Sequence, residues 1–73
     1  LITIGRTDYD VEKATADSDT YYLNGPRGGT LIAVPFSNDP DLYHAFRFGG
    51  THADLKVNGQ LAKIARADLE AAA

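Results

Sequence analysis

The stretch from Thr20 to Phe36 constrains this chain more than any other. Tyr21, Tyr22 and Leu23 are strong strand formers, and Thr30 to Phe36 carries Leu31, Ile32 and Val34. Between the two runs lies Asn24-Gly25-Pro26-Arg27-Gly28-Gly29, dense in the residues that turns demand. Two such runs around a glycine-containing loop read as a β-hairpin. Pro35 has no N–H to donate to a ladder, which puts that end of the second strand at an edge or leaving the sheet. Tyr21 and Tyr22 are adjacent, so on a strand they face opposite sides. One of them belongs in the core and the other is exposed or at an interface.

The flanking segments are less decided. Leu1 to Arg6 reads as a short strand, with Ile2 and Ile4 on one side. From Thr7 to Asp19, Asp8, Asp10 and Glu12 alternate with Tyr9 and Val11, which suits a strand with one charged face; the same residues also fit a turn of helix running to Ala16. Asp17-Ser18-Asp19 reads as a turn. A short helix is predicted at about 39–48: Asp39 caps it, Pro40 suits its first position, Leu42, Ala45 and Phe46 share a face, and Gly49 and Gly50 end it. His52 to Val57 reads as a last strand. Asn58-Gly59 suits either a hairpin turn or the start of a final helix, and the stripe of Leu61, Ile64, Ala65, Leu69 and Ala72 favours the helix, at about 60–72. The expected fold is therefore one α+β domain over 1–73. It has a small antiparallel sheet of three to four strands, mainly from 1–36 and 52–57, with one short helix and a C-terminal helix packed on one face.

Composition narrows the chemistry. A chain of 73 residues suits one domain. At this size folding buries only about 60–65% of the unfolded surface, so good packing or a partner must make up stability. There is no cysteine, which excludes disulfides, thiolate metal sites and cysteine nucleophiles. The longest apolar-leaning run, Leu31 to Phe36, has strand length and falls far short of the roughly 18 residues of a membrane span. The start shows no basic-then-apolar secretory pattern, and opening on Leu1 rather than Met fits a trimmed or processed end. These features predict a soluble, cytoplasmic protein with no membrane partner.

The net charge of −3 is unevenly spread. Asp8 to Asp19 holds five acids (Asp8, Asp10, Glu12, Asp17, Asp19) against Lys13 alone, whereas from Leu42 onward four bases face three acids. An acidic chain is a poor general binder of nucleic acid, whose affinity comes mainly from neutralised phosphates.

Candidate sites are each matched by a plainer reading. Asp41 and His44, three apart on the predicted helix, with His52 and Asp54 nearby, sketch a metal or acid–base site; metal sites need three or four converging ligands, and Asp41 as a cap with His44 on the surface accounts for the same residues. Ser18 and Ser37 lack a nucleophile elbow. Asp8-x-Asp10-x-Glu12 resembles the opening of a calcium loop, but Lys13 stands where that loop needs glycine and Asp19 where it needs glutamate. A charged strand, or an acidic face that docks on a basic partner, fits better. Gly25 to Thr30 has glycines and a cation to cradle an anion, yet lacks the ending of a phosphate loop and sits between strands. Aromatics interleave with arginine around Arg27 and Arg47, as in single-strand nucleic-acid binders and equally in protein interfaces.

No catalytic constellation, cofactor motif or metal set emerges. The expected function is a non-enzymatic protein–protein interaction module: a small accessory, inhibitor or assembly protein of the kind phages encode. Its partner is another protein or a second copy, met through Asp8, Asp10, Glu12, Tyr21, Tyr22, Arg27 and Arg47. The alternative is a single-strand nucleic-acid module using Tyr22, Arg27, Arg47 and Phe48. A metal-assisted enzyme using Asp41, His44 and His52 comes last.

Overall fold

A computed structural model describes residues 1–47 and 62–73, together with the backbone of 56–57 and 60–61. Its main feature is a six-stranded antiparallel sheet curled into a half-barrel, in the order β1-β2-β3-β4-β5-β8. The strands are β1 (Ile2–Ile4), β2 (Thr7–Lys13), β3 (Tyr21–Asn24), β4 (Thr30–Phe36), β5 (Asp39–Arg47) and β8 (Lys63–Ala65). Between β5 and β8, β6 (Lys56–Val57) pairs with β7 (Gln60–Leu61) as a separate two-stranded ribbon. Among the described residues there is one helix, α1 (Arg66–Ala72), near the end of the chain.

The first five strands follow from local sequence. Gly5, at φ 65, occupies the first position of the β1–β2 turn, where hairpin turns need a positive φ. β2 alternates exposed Asp8, Asp10 and Glu12 with half-buried Tyr9 and buried Val11, so the strand reading of this segment holds over the helical one. The β3–β4 hairpin closes through the Gly25 N–H donating to the Gly29 carbonyl at 2.7 Å, with Gly28 at φ 76. β3 pairs with β4 only as far as Ala33, so Pro35 meets no β3 carbonyl and its missing N–H costs nothing there.

The predicted sheet of three to four strands with two helices is overturned here. Residues 39–47 form the longest strand, not a helix. Its buried residues are Tyr43 and Ala45, a period of two, while Leu42, His44 and Phe46 are half-buried on the other side. The helical spacing of Leu42, Ala45 and Phe46 lost to pairing on both edges: β4 on one, from Leu31↔Arg47 to Phe36↔Asp39, and β8 on the other. The capping signal at Asp39 was real but local, since its carboxylate accepts the Asp41 N–H at 3.2 Å to start a strand instead. The C-terminal helix is also shorter than predicted. Gln60–Leu61 and Lys63–Ala65 are strands and the helix begins only at Arg66, while Asn58-Gly59 lies outside the described residues. The predicted strand residues 52–55 lie outside the described residues.

The concave face of the sheet holds the core: Val11, Tyr21, Leu23, Leu31, Ala33, Tyr43, Ala45 and Ile64. Tyr21 and Tyr43 meet edge to face, with centroids 5.8 Å apart. α1 closes this face by inserting Leu69, which is fully buried, and it touches β1, β2, β5 and β8 together. Isolated, seven residues would not hold a helix, so α1 depends on this docking.

Candidate functional site

With the core on the concave side, alternation places every other side chain on the convex side. Register then assembles rows across the strands. One runs Glu12–Tyr22–Ile32–Phe46 through β2, β3, β4 and β5. A second runs Asp10–Asn24–Thr30, and a third Val34–His44–Lys63. Aromatic rings extend the middle of the face, with His44 4.8 Å from Phe36 and 6.1 Å from Phe46 by ring centroids. The convex face is thus half-buried apolar and aromatic surface over β3–β5, bordered along β2 by exposed Asp8, Asp10 and Glu12.

The acidic border is held in place. Asn24 Nδ2 donates to Glu12 Oε1 at 3.1 Å, and Thr30 Oγ1 donates to Asn24 Oδ1 at 3.2 Å. Thr3 Oγ1 donates to Asp8 Oδ1. The three acids lie on one face of one strand, as their spacing predicts.

The remaining predicted residues divide. Tyr22 is on the convex face; Tyr21, 5% exposed, is core, so its ring packs the interior. Arg27 and Arg47 lie away from Tyr22, at the end of the sheet where the β3–β4 loop turns. There they line an open groove of about 1230 Å³ together with Arg6, Asp8, Tyr9 and the loop Gly25–Gly29. The register explains the gathering. Leu31↔Arg47 sets Arg47 at the root of the loop, and Asp10↔Asn24 brings Tyr9 level with Gly25. All three arginines are exposed, and among the described residues none of them forms an ion pair. Sequence reasoning missed Arg6. The available signal was Gly5-Arg6 between two strand-like runs, which marks Arg6 as a turn residue.

Asp41 and His44 do not form a pair. Three residues apart on a strand they point to opposite faces, and Asp41 instead approaches Arg66 at 3.9 Å. The Arg66 guanidinium is held above its ordinary range, first by hydrogen bonding to Tyr43 and, more weakly, by the charges of Asp41 and Asp19. Among the described residues no three of His, Asp and Glu are grouped to hold a metal, and His52, Asp54 and Phe48 lie outside those residues. No described helix is long and apolar enough to cross a membrane. No protein-family model, curated protein or solved structure matches this chain.

Proposed function

We propose that this chain is a non-enzymatic protein–protein interaction module, a small accessory or assembly protein acting inside the cell. The convex face is its docking surface. The observation that carries this reading is the row Glu12–Tyr22–Ile32–Phe46, which sets an aromatic and aliphatic surface directly beside three exposed carboxylates. Apolar area supplies affinity, and a one-signed border supplies orientation and encounter rate. The matching partner segment is apolar with lysine or arginine along one side. The hydrogen bonds from Asn24 to Glu12 and from Thr3 to Asp8 fix two of the carboxylates before binding, which lowers the ordering cost.

The test is affinity capture on the tagged chain from lysate of the source cells, after nuclease treatment and across a salt series. The expected result is one protein retained at low salt and released as salt rises. It should be lost from the Asp8→Asn/Asp10→Asn/Glu12→Gln variant and weakened by Tyr22→Thr. Retention of the same protein by the triple variant, with the same salt dependence, would rule the reading out.

A further inference from the structure

The groove at the loop end of the sheet adjoins the convex face, with which it shares Asp8 and Thr30, and its chemistry differs. Three elements each deliver one arginine to it: Arg6 from the β1–β2 turn, Arg27 from the β3–β4 loop and Arg47 from the end of β5. Three exposed guanidinium groups around one groove, on a chain of net charge −3, repel one another without offsetting ion pairs among the described residues. Among the described residues Asp8 is the one carboxylate in the lining, and it already accepts the Thr3 hydroxyl.

The loop itself adds a second observation. Gly28 needs its positive φ, and at Gly25 a Cβ would stand 3.1 Å from the Gly29 carbonyl oxygen and from the Tyr9 ring. Gly29 has neither constraint. Its φ lies outside the left-handed region, and a Cβ there would meet no atom within 4 Å. The fold does not require glycine at 29, and the open space beside it leaves the loop backbone accessible to the groove. Beside the loop, Tyr9 lines the same groove, half-buried and packed against the core cluster.

We infer that this groove binds the phosphodiester backbone of single-stranded nucleic acid. Arg6, Arg27 and Arg47 contact successive phosphates, the Gly28-Gly29 backbone lies against the strand, and Tyr9 takes a base. Guanidinium forks match phosphate oxygens in pairs, and an aromatic ring beside them suits an unstacked base. This inference stands apart from the docking role of the convex face, and either can fail without the other.

The test is fluorescence anisotropy of the chain with a labelled oligothymidylate over a salt series. Three phosphate contacts to a single strand give a log–log salt slope of about −2. Each of Arg6→Ala, Arg27→Ala and Arg47→Ala is expected to lower affinity roughly tenfold and to flatten the slope by about 0.7. Gly29→Ala is the diagnostic variant: its thermal midpoint should hold or rise while its affinity falls. Absence of salt-dependent binding overturns the inference, as does wild-type affinity in the arginine variants. Equal binding of polyglutamate, or of inorganic tripolyphosphate, would also overturn it, because charge alone would then explain the groove.

Discussion

Tyr21 and Tyr22 are neighbours of the same type with opposite roles. Tyr21 is in the core against Tyr43, and Tyr22 stands in the convex row between Glu12 and Ile32. The two faces of this sheet therefore do separate work. The concave face is made almost wholly of aliphatic and tyrosine side chains, sealed by one leucine from α1. The convex face mixes half-buried rings and aliphatics with exposed carboxylates. Stability should respond to changes on one face and binding to changes on the other.

The sharpest way to break this division is Leu23→Ala. Leu23 has no exposed surface, and its loss should cost about 2–5 kcal/mol, a large share of a small domain's total. Urea unfolding followed by far-ultraviolet circular dichroism reads the cost; a loss well under 1 kcal/mol would mean the concave face is not the core. A middle-sized effect is expected at Gly25→Ala, where the new methyl meets backbone and the Tyr9 ring at 3.1 Å. Such overpacking costs about 1–3 kcal/mol, and an unchanged midpoint would show that the loop yields freely. The smallest effect belongs to Tyr22→Thr. It keeps strand propensity and should shift stability by about 1 kcal/mol or less, while weakening partner capture. A large destabilisation at Tyr22 would make the convex face a second core and undo the comparison.

The sequence made parts of this arrangement legible. The hairpin of β3 and β4 was readable because turn residues and strand formers agree there at every position. The acidic border was readable too, because Asp8, Asp10 and Glu12 alternate with Tyr9 and Val11 at the strand period. Residues 39–47 were not, because Leu42, Ala45 and Phe46 fit a helix while Tyr43 and Ala45 fit a strand. What decided between them was pairing on both edges, with β4 across a tight turn and with β8 from far along the chain. The same reason hid the groove. Arg6, Arg27 and Arg47 are scattered in sequence, and only the register of the five strands β1 to β5 gathers them.

The strand order carries a consequence for how the chain finds this structure. From β1 to β5 each strand pairs with the next one in sequence, so those ladders close over short turns. Only β5 and β8, joined at Leu42↔Ala65, must close over an intervening ribbon. The entropy of loop closure is therefore concentrated in the pairing of β5 with β8, just before the helix that carries Leu69 to the core. The costliest closure in the chain is thus the one that seals the concave face.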